Sequence, residues 1–280
     1  MTSNGRPIPL QRTIRGTVAL EGVGLHTGLS VRMRLQGVPP GSGILFYRSD
    51  YPQAEPIPAT VEAVRGTMRG VTLGDGVTVA TVEHLLSAAA GLGIDNLRVD
   101  LEGPELPALD GSAAGFVHAL EEAGIQEQEA PARVIELGET VVALGGGRAA
   151  TRASEGFHVT YVVDLPPPLG RQVSSAEIAQ AYRSAIAPAR TWGFAHEAPA
   201  LLAQGLAKGA GSDNVLVIGS DGYLTPPRFP DEPVRHKILD LLGDLALLGG
   251  RLQGHVEVTR GGHGLHLALA REIARRWGDG

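Results

Sequence analysis

One apolar segment in the second half carries the clearest candidates for chemistry. The run from Arg235 to Leu248 is almost entirely apolar, which predicts a helix that is buried over most of its girth. His236, Asp240 and Asp244 lie at intervals of four residues, so they form one narrow stripe on such a helix. Because unpaired charge is expensive to bury, the stripe indicates either a metal site or a thin edge that faces solvent. A short motif alone favours the edge, whereas the apolar surroundings and the short acidic side chains favour the metal.

A second pair of candidates lies in the first half of the chain. Glu83 and His84 open a segment rich in alanine and glycine that predicts a helix. By itself an acidic residue there is explained by the favourable interaction with the N-terminal end of a helix dipole. Together with His236 and Asp240, however, His84 completes a His-His-Asp set that leaves one position for water, as catalytic zinc requires. Glu83 would then lie beside that water as its base.

The composition limits how a metal can be held. The chain has no cysteine, which excludes a disulfide framework, a thiolate zinc finger and a cysteine nucleophile. Any transition metal must therefore be held by His, Asp or Glu, the ligand set of catalytic rather than structural zinc. We expect zinc, while iron(II) fits the same ligands.

His263 is a further candidate, within the segment Arg260 to Gly264. Glycines on both sides would let the backbone approach a ligand closely, although a solvent-exposed turn explains the segment somewhat better on sequence alone. The chain lacks the G-x-S-x-G, G-x-x-x-x-G-K-[ST] and H-E-x-x-H motifs of rival chemistries. The remaining histidines lie in ordinary helix or strand patterns and are assigned no role: His118, His158, His196, His255 and His266.

Length and charge restrict the class of protein. The 280 residues suffice for two domains, and 43% hydrophobic with 19% charged residues is typical of a globular protein. The net charge of -6 argues against a general nucleic-acid binder, although local basic residues could still hold a phosphate. Residues 1–16 lack the apolar core of a secretory signal, and no apolar run reaches the length of a bilayer span. We therefore expect a soluble cytoplasmic protein that does not span a membrane.

The elements around these candidates follow the same order in both halves. The first half predicts strands, a helix, a strand and a helix at 17–20, 29–35, 82–93, 96–101 and 113–123. The second half predicts strands, a helix, a strand and a helix at 134–137, 158–164, 234–250, 254–258 and 264–277. The polar segment Ile125 to Ala132 is the candidate linker. A histidine opens the first helix of each half, which indicates an internal duplication that would bring His84 and His236 together. Coincidence between two ordinary α+β domains explains the order equally well.

Several segments together resemble the UDP-3-O-acyl-N-acetylglucosamine deacetylases, which make the committed step of lipid A synthesis. They occur in the order of that family and span nearly the whole chain. Each is weak alone, and together they are specific: GVGLHTG from Gly22, TVEHLLSAAAGLGIDN from Thr81, LDGSAAGF from Leu109, Ala189-Arg190-Thr191, VRHKILDLLGDLALLGG from Val234 and Gly262-His263-Gly264.

The resemblance implies an α+β fold of two similar domains. Each would be a small β-sheet layered with helices, with the active site at the domain interface. On this chain we expect the domains at residues 1–127 and 131–280, with a strand-helix-strand insertion near 191–223. In the family this insertion forms an apolar passage for the fatty acyl chain of the substrate. Leu201, Leu202 and Leu206 could line it, and plain helix packing explains these leucines equally well.

The resemblance also implies roles for individual residues. The metal ligands would be His84, His236 and Asp240, and Glu83 the general base. His263 would be the general acid, oriented by Asp244, and Lys237 and Thr191 would polarise the acetyl carbonyl and hold the oxyanion. Two positions depart from the family: Trp192 stands where phenylalanine is more frequent, and Pro233 where an aromatic residue is usual. Both could reshape the acyl or sugar pocket.

The implied function is a zinc-dependent hydrolase, a deacetylase of UDP-3-O-acyl-N-acetylglucosamine that yields the free amine and acetate. We expect a monomer whose partner is this UDP-linked, acylated amino sugar, with no nucleic-acid partner. One alternative is a zinc amidase for another acetylated amino sugar, without preference for the UDP group. Another is a non-catalytic binding protein on the same fold, which is disfavoured because every implied catalytic position is filled.

Overall fold

The computed structural model describes residues 8–277 of the chain. The strands are β1 Leu10–Ile14, β2 Thr17–Val23, β3 Ser30–Gln36, β4 Ile44–Arg48, β5 Ile57–Pro58, β6 Val64–Gly66, β7 Thr72–Leu73, β8 Val79–Ala80, β9 Leu97–Glu102, β10 Ile125–Pro131, β11 Val134–Glu136, β12 Thr140–Leu144, β13 Gly147–Arg152, β14 Phe157–Asp164, β15 Arg171–Glu177, β16 Trp192–Phe194, β17 Leu216–Ile218 and β18 Arg251–Thr259. The helices are α1 Glu83–Leu92, α2 Ala114–Glu122, α3 Ile178–Ala181, α4 Ala198–Ala203, α5 Glu232–Ala246 and α6 His263–Trp277. Within the described range, no helix combines the length and apolar character needed to cross a membrane.

The two halves of the chain build sheets of the same topology. The first sheet has the order β2-β3-β9-β4-β5, with β9 antiparallel to β3 and parallel to β4. The second has the order β12-β13-β18-β14-β15, with β18 antiparallel to β13 and parallel to β14. Strand β9 follows helix α1 and strand β18 follows helix α5, and each of these strands lies in the middle of its sheet. Because the two sheets share their strand order and strand directions, the two halves are not unrelated α+β domains. The predicted α+β fold of two similar units is confirmed.

The halves meet along helices α1 and α5, which pack against each other. Small side chains on α1 let the helices approach closely, and Gly243 of α5 lies directly on the α1 backbone, where a Cβ atom would overlap the carbonyl oxygen of Glu83. Gly93 ends α1 in the left-handed conformation with φ of 67°, as expected of a glycine that follows a helix. The first turns of α1 and α5 carry Glu83, His84 and His236, so the packing brings these residues together.

Helix α5 is buried over most of its surface, as its sequence predicts. Its apolar side chains join the core, and the stripe is buried with them: His236 and Asp240 are each 3% exposed and Asp244 is 0% exposed. A solvent-facing edge is therefore excluded as the explanation of the stripe.

The segment predicted as a linker forms a strand instead of an irregular connection. Residues Ile125–Pro131 form strand β10, which pairs antiparallel with β1, from Ile14 opposite Ile125 to Leu10 opposite Pro131. The side chains alternate between half-buried and exposed, as in a strand with one covered face. The segment thus ties the chain's first strand to the junction of the two halves. The domain bounds 1–127 and 131–280 stay a prediction, and residues 1–7 and 278–280 lie outside the described residues.

Between Thr191 and Tyr223 the chain forms a strand-helix-strand unit. Strands β16 and β17 pair in parallel and helix α4 lies between them in sequence. The unit is attached to the glycine-rich segment of the first half, because the amide of Gly209 donates to the carbonyl of Leu25 at 3.0 Å and that of Lys208 to His26 at 3.2 Å. This attachment places the unit beside the junction of α1 and α5.

Candidate active site

The three predicted metal ligands lie together where the first turn of α1 packs against α5. The ligand atoms of His84, His236 and Asp240 are all within 4.8 Å of one another. His236 Nε2 is 3.2 Å from Asp240 Oδ1, and His84 Nε2 is 3.9 Å from the same oxygen. All three side chains are buried. The structure therefore joins residues that are more than 150 positions apart in the sequence.

The protonation of this group suits a divalent cation. His236 Nδ1 donates to the carbonyl oxygen of Ala189 at 3.0 Å, which leaves Nε2 directed at Asp240, 3.2 Å from its Oδ1. Burial, with His236 alongside, lowers the pKa of His84 to about 3, which keeps its imidazole neutral. Burial alone would raise the pKa of Asp240, but His236 and Lys237 outweigh it and hold this pKa well below its usual range. Two imidazoles and one carboxylate are a typical ligand set of catalytic zinc.

Glu83 and His263 face each other beside the ligands. Glu83 is 3% exposed; its Oε2 accepts a hydrogen bond from the amide of Val71 at 3.0 Å, and its Oε1 lies 3.9 Å from His263 Nε2. Burial raises the pKa of Glu83 to about 7, opposed by the charge of His263 and supported by the nearby Asp244 and Asp240. Glu83 and His263 therefore present a carboxyl group and an imidazole to the same cavity.

His263 is held in its charged form by Asp244. Its Nδ1 donates to Asp244 Oδ2 at 2.8 Å, and Asp244 is fully buried. Burial would lower the pKa of His263, but Asp244 outweighs it and raises that pKa to about 9. At neutral pH His263 is therefore an imidazolium whose Nε2 points towards Glu83.

Lys237 and Thr191 complete the polar wall of the site. The Nζ of Lys237 donates to Asp240 Oδ2 at 2.8 Å, and although burial would lower the pKa of Lys237, Asp240 raises it above its ordinary value. The backbone of Thr191 is fixed from both sides, because its amide donates to the carbonyl of Gly111 at 2.7 Å and its carbonyl accepts from Leu216 at 2.8 Å. A protonated amine and a hydroxyl thus line the same space.

One cavity of about 470 Å³ lies between the two halves and the insertion, and it is lined by Glu83, His84, Thr191, His236, Lys237, Asp240 and His263. Asp244 is fully buried and is not on the wall of this cavity. Trp192 is on its wall, and the indole Nε1 of Trp192 donates to the carbonyl of Pro233 at 3.2 Å, so the two departures from the family pattern are in contact. The predicted acyl-passage leucines lie on the insertion but not on this wall, and their role stays a prediction. The other residues that line the cavity are Leu25, Thr67, Arg69, Thr81, Leu144, Gly145, Arg260, Gly261, Gly262, Gly264 and Leu265.

His266, whose ordinary helical pattern assigns it no role, is connected to the site through Asp244. It is fully buried, its Nδ1 lies 2.7 Å from Asp244 Oδ2, and its Nε2 lies 2.8 Å from the hydroxyl of Tyr161. Asp244, His263 and His266 also bring three ligand atoms within 4.8 Å, but here both imidazoles are occupied in hydrogen bonds to the carboxylate. The spacing of three residues on α6 was the available signal, since it puts His263 and His266 on one face.

A buried ion pair lies behind His236, one of the predicted metal ligands. Arg190 donates to Glu232 Oε1 through its amide and its Nε, both at 2.9 Å, and Glu232 is fully buried. Arg190 follows Ala189, whose carbonyl receives the hydrogen bond from His236. The Ala189-Arg190-Thr191 motif therefore orients His236 and holds the backbone of Thr191.

The fold and the site together define a metal-dependent hydrolase whose active site lies between two similar α+β units. Comparison with known proteins gives the family. A family model described as UDP-3-O-acyl N-acetylglycosamine deacetylase matches residues 11–275, and the chain belongs to this family, as the resemblance of its motifs predicts.

Curated relatives agree over most of their length. A protein of Myxococcus xanthus is 41% identical over 269 residues, which are 94% of this chain and 86% of the relative. One from Thermosynechococcus vestitus is 43% identical over 99% of both chains, and one from Phenylobacterium zucineum is 42% identical over 95% of this chain and 94% of the relative. Each is named UDP-3-O-acyl-N-acetylglucosamine deacetylase.

Proposed function

We propose that this chain hydrolyses the N-acetyl group of UDP-3-O-acyl-N-acetylglucosamine and releases the free amine and acetate. The observation that carries the proposal is the pairing of Glu83 with the cationic His263 at 3.9 Å, beside the His84, His236 and Asp240 group. Hydrolysis of an amide needs a base for the attacking water and an acid for the departing nitrogen. Both groups are in place, and the names of the relatives supply the substrate.

We propose zinc as the metal, held by His84, His236 and Asp240. The ligand set of two imidazoles and a carboxylate supports zinc, although iron(II) accepts the same donors. The metal would supply Lewis-acid polarisation of the amide carbonyl and a water of lowered pKa. Ala189 and Lys237 support the binding: one orients His236 and the other holds the second oxygen of Asp240.

The remaining steps fall to side chains of the chain itself. Glu83 accepts the proton of the attacking water, and its second oxygen stays anchored on the Val71 amide. Lys237 and Thr191 donate to the oxygen that gains negative charge, a preorganised arrangement that costs no reorientation. His263 passes its Nε2 proton to the departing nitrogen, while Asp244 holds the ring through Nδ1. The bond between the carbonyl carbon and the nitrogen breaks, which gives a neutral amine and acetic acid that ionises to acetate. The proton gained by Glu83 balances the proton that His263 has given.

Basic side chains on the cavity wall support an anionic, nucleotide-linked substrate. Arg69, Lys237 and Arg260 all line the cavity, although the chain as a whole carries a net charge of -6. Basic side chains on the wall of a cavity attract a diphosphate. We further propose that the 191–223 insertion receives the acyl chain and that Leu201, Leu202 and Leu206 contact it, in keeping with the attachment of the insertion beside the cavity.

The test is acetate release by the zinc-loaded protein from UDP-3-O-acyl-N-acetylglucosamine carrying several acyl lengths. We expect release by the unchanged protein and a loss of about 10²- to 10⁴-fold in Glu83→Ala, the usual contribution of a general base. Glu122→Ala, an exposed glutamate at the end of α2, is the matched control.

A second substrate separates the proposal from its alternative. The same acylated amino sugar without UDP should be a much poorer substrate. Equal rates on both substrates would favour a zinc amidase without preference for UDP. No release at any acyl length, from a folded and zinc-loaded protein, would refute the substrate assignment.

A further inference from the structure

Two imidazoles converge on a single oxygen of Asp244. His263 Nδ1 lies 2.8 Å and His266 Nδ1 lies 2.7 Å from Asp244 Oδ2. An ionised carboxylate only accepts hydrogen bonds, so both Nδ1 atoms carry protons. Within residues 8–277, Asp244 Oδ1 is buried and receives no hydrogen bond. The orientation of this carboxylate therefore rests on its two imidazole donors.

The far side of His266 is fixed as well. Its Nδ1 carries a proton, and its pKa is lowered by burial, so the ring is neutral and Nε2 has a lone pair. The hydroxyl of Tyr161 lies 2.8 Å from that Nε2, and burial raises the pKa of Tyr161 well above its ordinary value. Tyr161 therefore stays protonated and donates to His266. The hydrogen bonds run in one direction, from Tyr161 to His266 to Asp244.

The backbone of the glycine-rich segment packs against this chain of hydrogen bonds. A Cβ atom on Gly261 would lie 2.6 Å from the hydroxyl oxygen of Tyr161 and 3.2 Å from His266 Nε2. Tyr161 belongs to β14, Asp244 to α5 and His266 to α6, so the hydrogen bonds join three elements of the second half. The sheet is thus connected through Tyr161 and His266 to Asp244, which holds the His263 ring.

We propose that His266, itself held by Tyr161, is a positioning residue that fixes the Asp244 carboxylate and thereby aims the His263 imidazolium at the departing nitrogen. The inference rests on the proposed role of His263 as the proton donor. His266 does not touch substrate; it acts through Asp244. The charged groups that face His263 are Asp244, Asp240 and Glu83, and replacement of His266 removes none of them.

The experiment compares His266→Leu with His266→Asn in the full-length, zinc-loaded protein. Leucine removes the donor to Asp244, whereas the amide of asparagine can supply one. For His266→Leu we expect kcat for acetate release to fall by about 10- to 100-fold with KM unchanged, the usual effect of losing an outer hydrogen-bond partner. His266→Asn should recover most of the lost kcat. Tyr161→Phe, which removes only a hydroxyl, should lower kcat by about 2- to 10-fold.

A second readout needs no substrate. The ¹⁵N and ¹H chemical shifts of the His263 ring should change in His266→Leu and return towards the original values in His266→Asn. Unchanged kcat and unchanged His263 shifts in a folded His266→Leu protein would overturn the inference, as would an equal loss in both His266 variants. Should His266→Leu fail to fold, unchanged values in Tyr161→Phe would overturn it. If the protein without substitutions releases no acetate, that result counts against the proposed function. The chemical shifts of the His263 ring would still decide whether His266 positions it.

Discussion

Replacement of Gly243 by alanine tests how closely the two halves must approach. Gly243 lies on α5, and a Cβ atom there would overlap the carbonyl oxygen of Glu83 and lie 2.8 Å from Glu83 Cα. These are backbone atoms of α1, which cannot rotate away. The helices would have to move apart by roughly 1 Å before ordinary contact distances return.

The expected magnitudes differ for stability and for activity. Alanine gains about 1 kcal/mol of helix propensity over glycine, whereas overpacking a well-packed core costs about 1–3 kcal/mol. The net loss in the free energy of unfolding is therefore at most about 2 kcal/mol. Activity should suffer more, because Glu83 and His84 stand on α1 while His236 and Asp240 stand on α5. A shift of about 1 Å between reacting groups costs about 100-fold in rate.

The assay measures urea unfolding, zinc content and kcat/KM for acetate release on the same preparation. Gly264→Ala is the stability control, since it is also a helical glycine but its Cβ atom would meet only Leu144 Cδ2 at 3.6 Å. That control should be as stable as the unchanged protein or slightly more so. Gly243→Ala with unchanged kcat/KM would refute the argument that direct backbone contact of α1 and α5 sets the geometry of the site.

Three further predictions concern charge, burial and the metal. Asp244 holds the pKa of His263 at about 9, so activity that needs the imidazolium should decline above about pH 9, and Asp244→Asn should move that decline to lower pH in a kcat/KM profile. Because the folded protein holds the His263 proton more tightly than the unfolded chain, whose histidine pKa is about 6.5, protonation of His263 stabilises the fold fully below about pH 6.5. Urea unfolding should show this stabilisation disappearing as the pH rises through about 9. If kcat/KM declined at the same pH in the original protein and in Asp244→Asn, Asp244 would not be what raises the pKa of His263. Arg190→Met leaves the buried Glu232 without its charged partner and should lower the free energy of unfolding in urea by about 3–5 kcal/mol. The double variant Arg190→Met with Glu232→Leu should lose less. Equal losses in the single and double variants would contradict the ion-pair argument. Removal of the metal by a chelator should abolish acetate release and zinc should restore it, whereas full activity in metal-free protein would contradict a metal-dependent reaction.

The main features of the site could be predicted from the sequence because they are local patterns. The stripe of His236, Asp240 and Asp244 stands out on an apolar helix, and burial of that helix follows from its composition. The repeated order of helices and strands gave the duplication, which the sheet topology confirms. The topology itself, with β9 and β18 in the middle of their sheets, depends on long-range pairing that no local pattern encodes.

The features that were not predicted depend on distant partners. Strand β10 is polar and ends in a proline, which is typical of a linker, but β1 lies beside it and supplies the backbone partners. His266 follows an ordinary helical pattern, and its importance comes from Asp244 and Tyr161, which approach it from α5 and β14. In both cases the deciding contact joins residues that are far apart along the chain.

The most direct test of the account is a crystal structure of the zinc-loaded protein with anomalous diffraction measured at the zinc absorption edge. We predict one strong peak bonded to His84, His236 and Asp240, with ligand distances of about 2.0–2.2 Å. A zinc peak among Asp244, His263 and His266, whose ligand atoms also lie within 4.8 Å of one another, would contradict the account. The absence of any zinc peak in an active crystal preparation would contradict it equally.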